Sequence, residues 1–282
     1  SVVSSDYDSK TLVVKNTAPT DPGSYYLIHN NQITYLGNEK PFLKTEDLAS
    51  LSYISYPSSD GQEIYAYAHT PKGDGPHPLI VMPHGGPFVE EVILFDEWPQ
   101  FFANNGYMVI QPQYRGSFGY GLDFHQKAFI NGGEAGKKMQ DDLDYGAKHL
   151  INKGLVDKNN VYMFGWSYGG YTSLIASMNK EKLYKCVVAG AAVADQIQQY
   201  NYFRSRLEGS QKERQEAYRK DAVNPIDHID DIKVPLLIIH GDNDQRVPIK
   251  HAYKFVDELK KKNIQHEFIV LEGADHFLVT CI

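Results

Sequence analysis

Val161-Tyr162-Met163-Phe164-Gly165-Trp166-Ser167-Tyr168-Gly169-Gly170-Tyr171 is the stretch from which the rest of the chain can be ordered. Its first four residues form an apolar, β-type run, and a helix-like run extends from Tyr171 to Met178. A chain that passes from strand to helix this abruptly forces the residue at the corner into strained backbone angles. Its side chain then stands clear above the sheet. Side chains at the flanking positions would collide, which suits glycine at 165 and 169. Ser167 is therefore a candidate nucleophile. Taken alone the pattern also describes an ordinary Gly/Ser turn, so its weight depends on what surrounds it.

Composition narrows the classes. With 282 residues and 42% hydrophobic content, the chain can bury one large core or a core plus a small appendage. A net charge of -7 and a pI near 5.9 argue against nucleic acid or an anionic membrane as the main partner. Lys260-Lys261-Lys262 reads as the basic last turn of a helix. No apolar stretch approaches the roughly 20 residues that cross a bilayer, and no signal peptide is visible. The cytoplasm is the expected compartment, with the periplasm or secretion as alternatives. Two cysteines, Cys186 and Cys281, argue against a disulfide framework and exclude a four-cysteine metal site. No cofactor or metal is expected.

From about residue 51 onward, β-type runs alternate with helical patterns. Strands are expected at 51–56, 63–69, 78–83, 107–113, 161–166, 186–192, 235–240 and 266–271. Leu79-Ile80-Val81-Met82 and Leu236-Leu237-Ile238-Ile239 are continuous apolar runs, as in strands buried on both faces of a parallel sheet. Helices are expected near 96–105, 140–153 and 250–262, with Gly154 stopping the second. This alternation predicts an α/β fold with a mostly parallel central sheet flanked by helices. The Ser167 turn makes it an α/β-hydrolase fold. Residues 196–221, rich in Gln, Arg, Glu and Tyr, break the rhythm as either a lid beside the site or a solvated helical excursion. Residues 1–45 form a separate all-β segment with short strands at 11–15, 24–29 and 32–36. The last two are joined by a turn at Asn30-Asn31.

Acyl transfer by a serine needs a base for its proton, a carboxylate to orient that base, and donors where the oxyanion forms. In this fold they follow the order Ser, acid, His. After the 235–240 strand come Asp242 and Asp244. Asp242 sits in the tight turn, where capping backbone N–H groups is its expected role, so Asp244 is the expected acid. After the 266–271 strand comes His276, the expected base. His240 is the rival, but its position at a strand end suits a structural role better. The oxyanion donors are expected to be the N–H groups of Tyr168 and Gly86, with Gly85 as the alternative to Gly86. His84 is expected to make a structural hydrogen bond within its loop.

Four motifs carry a resemblance. They are His84-Gly85-Gly86-Pro87, Tyr114-Arg115-Gly116-Ser117, the Gly165–Tyr171 stretch, and His240-Gly241 followed by Asp244, Arg246, Val247 and Pro248. In this order they resemble the catalytic domain of the prolyl oligopeptidase family, nearest its acylaminoacyl-peptidase branch, over roughly residues 50 to 276. The resemblance implies a serine peptidase cleaving short peptides or acylated amino acids through an acyl-enzyme. Ser167 would be its nucleophile, Asp244 its acid and His276 its base. Arg246 matches an arginine that reaches a substrate carbonyl in that branch, and a surface ion pair is its other reading. Full-length members carry a β-propeller ahead of the hydrolase domain, and residues 1–45 resemble a remnant of it, which leaves 46–282 as the catalytic domain.

Two departures bear on activity. Phe277 stands where many relatives have glycine, and the family's C-terminal helix has no counterpart after His276. An exposed sheet face, a poorly fixed His276 loop and lowered activity are then expected, unless a second copy covers the gap in a homo-oligomer. Two other functions stay open at this point. One is an esterase or thioesterase using the same triad; the other is a catalytically silent truncated fragment. The lining of the pocket for the substrate side chain is expected from the loops at 118–124 and 200–203.

Overall fold

The computed structural model describes residues 1–279. Cys281 lies outside them. Eight strands form the main sheet: β5 (Ser50–Pro57), β6 (Glu63–Thr70), β7 (His77–Val81), β8 (Met108–Gln113), β9 (Val156–Trp166), β10 (Cys186–Gly190), β11 (Leu236–Gly241) and β12 (His266–Leu271). Their spatial order is β12-β11-β10-β9-β7-β8-β6-β5. Neighbours from β12 to β8 run parallel, whereas β6 is antiparallel to both β8 and β5. The continuous apolar runs are the central strands, and Leu79, Val81, Val161, Met163 and Val187 are fully buried. The fold is an α/β-hydrolase fold with helices packed on the sheet.

Helices α1 (Glu97–Asn104), α3 (Lys138–Asn152), α4 (Tyr168–Ala176) and α7 (Lys250–Lys261) fall in the sheet's crossovers, together with the short α2 (Leu122–Gln126). Asp96 caps α1 by accepting from the Trp98 N–H, at 3.1 Å. Gly154, at φ +70°, lies two residues beyond the end of α3, a backbone conformation that costs glycine little. Every residue of α4 is buried. A helix that is hidden all round belongs in the core rather than on the surface. Among the described residues, no helix is long and apolar enough to cross a membrane.

Residues 196–221 form α5 (Gln196–Phe203) and α6 (Gly209–Asp221), tied together where the Tyr200 hydroxyl donates to Glu216 at 2.8 Å. They stand beside the Ser167 cavity, and Gln199, Phe203, Tyr218 and Arg219 form part of its wall. The segment is thus in the position of a lid.

A second, antiparallel sheet has the order β1 (Val2–Ser5), β2 (Thr11–Ala18), β3 (Asp21–His29), β4 (Gln32–Asn38). Asn30 and Asn31, at φ +48° and +60°, make the expected turn between β3 and β4.

Candidate active site

Four loops at the carboxyl ends of β7, β9, β11 and β12 converge, which is where open α/β sheets bind ligands. Ser167 follows β9 at φ +61° and ψ -117°, strained values for a residue with a side chain. Its N–H donates to the Gly190 carbonyl at 2.8 Å, which ties the corner to β10. β10 therefore ends at Gly190, two residues before the expected 192. Ala191 already turns away, at φ +43°. A Cβ on Gly165 would run into the Gly169 backbone, and one on Gly169 into the Pro83 carbonyl. Neither obstacle is a flexible side chain. Gly165→Ala is accordingly expected to cost about 1–3 kcal/mol by overpacking. A urea midpoint unchanged from wild type would contradict that.

His276 Nε2 lies 2.9 Å from Ser167 Oγ, and His276 Nδ1 lies 2.6 Å from Asp244 Oδ2. The other Asp244 oxygen accepts the N–H groups of Arg246 and Val247, both at 2.8 Å. Burial opposes ionisation of Asp244. Bonds from the rings of His240 and His276 and from the Val247 N–H outweigh it, and hold the carboxyl well below the usual carboxylate range. Asp242 is exposed and accepts the Gly273 N–H at 2.7 Å, so it caps the turn and does not meet His276. His240 is fully buried, and its Nε2–H donates to the Val247 carbonyl at 2.7 Å. It braces the acid loop from behind.

Hydrogen bonds from two neighbouring stretches of chain hold the segment that carries His276. Trp166 Nε1–H donates to the His276 carbonyl at 2.8 Å, and the Asn243 N–H donates to Ala274 at 3.1 Å. Phe277 is exposed and packs edge-on against the His276 ring at 5.4 Å. On edge strand β12, Ile269 and Val270 remain about 40% exposed.

The loop after β7 passes beside the serine: a Cβ built on Gly85 would stand 3.3 Å from Ser167 Cβ. Gly86 has φ +113°, which bends the chain so that residues 85–87 and Tyr168 border one cavity with Ser167. His84 holds this loop from within. Its ring stacks on Tyr114 at 4.3 Å, its Nδ1 is 2.7 Å from the Gly85 carbonyl, and its Nε2 is 2.9 Å from Ser117 Oγ. Burial pushes His84 down to about 4, so the ring is neutral at pH 7.

The Ser167 cavity has a volume of about 410 Å³. Arg246 lines it with its guanidinium 4.9 Å from the Phe277 ring centroid, and no described carboxylate pairs with it. The surface ion pair is therefore not what the structure contains. The expected pocket lining needs a correction. Of the 118–124 and 200–203 residues, only Phe203 reaches the Ser167 cavity. Phe118 and Tyr200 line a second cavity of about 360 Å³ that shares Phe203 and Arg219 with the first. The Tyr202 hydroxyl donates to the Gln245 carbonyl instead, at 3.1 Å. Among the described residues, no group of three or more His, Cys, Asp or Glu is placed to hold a metal.

The model of the prolyl oligopeptidase family matches residues 94–280. This chain belongs to that family. Within the prolyl oligopeptidase family, the chain is 29% identical over 290 aligned positions to dipeptidyl aminopeptidase BIII of Pseudoxanthomonas mexicana, covering 95% of this chain and 42% of that protein. It is 28% identical over 230 positions to the acylamino-acid-releasing enzyme of Arabidopsis thaliana, covering 76% and 30% respectively. The acylaminoacyl peptidase of Pyrococcus horikoshii superposes with a TM-score of 0.80 at 23% identity, over 98% of this chain and 45% of that one. That likeness shows the fold. The chain spans less than half the length of these relatives.

Proposed function

We propose that the chain hydrolyses short peptides or acylated amino acids through an acyl-enzyme on Ser167. Ser167 Oγ attacks the scissile carbonyl carbon while His276 Nε2 takes its proton. The N–H groups of Tyr168 and Gly86 receive the developing oxyanion, and each such donor is typically worth about 2.7–4 kcal/mol in the transition state. His276 then passes the proton to the departing amine. A water activated by the same ring releases the acyl group. Asp244 keeps Nδ1–H of His276 pointed at itself, which leaves Nε2 free to accept. Arg246, free of a carboxylate and facing the cavity, is read as the group that holds a substrate carbonyl. One relative is named a dipeptidyl aminopeptidase and the other an acylamino-acid-releasing enzyme, which supports the substrate class.

The observation that carries this reading is the continuous hydrogen-bonded run from Ser167 Oγ through His276 to Asp244, at 2.9 and 2.6 Å. Intact-mass labelling with a fluorophosphonate tests it. A single adduct is expected on the wild type, and none on Ser167→Ala. Folded wild type that takes up no reagent would overturn the assignment of an activated serine. Comparing hydrolysis of an acyl-peptide anilide with that of a short-chain ester then separates a peptidase from an esterase. The expected result is efficient cleavage of the anilide.

A further inference from the structure

Arg219 is a cation that the triad does not use. It projects from α6 into the wall shared by the 410 Å³ Ser167 cavity and the adjoining 360 Å³ cavity. Its Nη1 donates to Gln196 Oε1 at 2.5 Å, and no described carboxylate stands within ion-pair reach. Burial opposes its charge, and the polar groups around it are the phenols of Tyr218, Tyr168 and Tyr171 and the ring of His251. Arg214 also faces the second cavity, its guanidinium 5.6 Å from the Phe129 ring centroid.

Charge around these cavities is one-sided. Arg219, Arg214 and Arg246 line them, and among the described residues no Asp or Glu does, although the chain carries 35 acidic residues against 28 basic ones. A partly buried guanidinium without a counter-ion is poorly compensated, and an anion entering the cavity would supply what is missing. Its planar fork suits a carboxylate in particular. The rest of the second cavity is largely aromatic, with Phe88, Phe118 and Phe129 in its wall. At about 360 Å³ it is near the small end of ligand pockets, commonly about 300–1,000 Å³. An apolar stem ending in a negative charge fits that combination.

We propose that Arg219, assisted by Arg214, binds the carboxylate of an acidic side chain close to the scissile bond of the substrate. This deepens the reading of Ser167 as the nucleophile and rests on it. The second cavity becomes a selectivity pocket whose aromatic wall takes the methylene stem. Its two arginines take the charge, and Arg246 remains free for a backbone carbonyl.

Peptide binding to Ser167→Ala provides a readout that needs no turnover. The probes are acetylated tetraleucine amides in which one residue is replaced by Glu or by Gln, at each of the four positions in turn. At one position Glu is expected to bind at least tenfold more tightly than Gln. Adding Arg219→Gln should reduce that ratio to below twofold, and Arg219→Lys should leave an intermediate ratio, since the charge stays and the fork is lost. Glu binding no better than Gln at every position would overturn the proposal without any Arg219 variant being made. A preference that survives Arg219→Gln would do the same. Failure of the Ser167 reading shows separately, as absence of the fluorophosphonate adduct on wild type.

Discussion

Asp244→Asn is expected to lower turnover about ten-thousandfold while the protein stays folded, the loss found when such an acid becomes an amide. The amide oxygen can still accept the Arg246 and Val247 N–H groups that the Asp244 carboxylate now accepts, at 2.8 Å each. What changes is the side that faces His276. An NH₂ there opposes Nδ1, so the imidazole settles in the other tautomer, with Nδ1 accepting and Nε2 carrying the proton. Nε2 sits 2.9 Å from Ser167 Oγ and can then only donate. The base is lost although no atom has moved far. Asp242→Asn is the control, because Asp242 only caps the Gly273 N–H from an exposed position. Initial rates on an acyl-peptide anilide, with thermal unfolding alongside, decide the matter. A folded Asp244→Asn protein within tenfold of wild type would remove Asp244 from the mechanism.

The same loop shows why much of the site could be read from the sequence. Ser167, Asp244 and His276 each lie past a strand with an apolar run of four residues, Val161–Phe164 in β9, Leu236–Ile239 in β11 and Phe268–Leu271 in β12, so those runs locate them by position. The glycines at 165 and 169 are read from a collision that any side chain would cause. Elements with weak patterns were harder to see. The four exposed residues of β1 carry no alternation against a core. The polar residues Asp157, Lys158, Asn159 and Asn160 hide the first half of β9, which is placed by the pairing of Val156 with His77. The lid was ambiguous because its helices are mostly polar. Their identity comes from what they stand over, which only the tertiary structure supplies. Arg219 was missed for the same reason: nothing in Tyr218-Arg219-Lys220 signals that the middle residue faces a cavity.

Arg115 teaches a related lesson, and its replacement is expected to have the largest effect on stability. The Tyr114-Arg115-Gly116-Ser117 motif is one of the four that carry the family resemblance, but the partner of Arg115, Asp142, is 27 residues away on α3. Arg115 is 4% exposed and Asp142 is fully buried. The guanidinium grips Asp142 through Nε at 2.8 Å and Nη2 at 2.7 Å, and reaches Asp60 through Nη1 at 2.9 Å. Its own hydrogen bonds hold the Asp60 carboxyl below the usual range, so that stabilisation is present above about pH 4 and lost as pH falls through the lowered value. Arg115→Met leaves the Asp142 charge in the core with only Ser58 Oγ and one backbone N–H. Such an uncompensated charge costs about 3–5 kcal/mol. Removing both charges in Arg115→Met with Asp142→Leu should restore most of that loss, since the penalty comes from the unpaired carboxylate. Urea unfolding of the two singles and the double measures the coupling. Additive losses would show that the pair does not act as a unit. The variant should also slow acylation, because the flanking Tyr114 and Ser117 are the residues that hold His84 behind the Gly85-Gly86 loop.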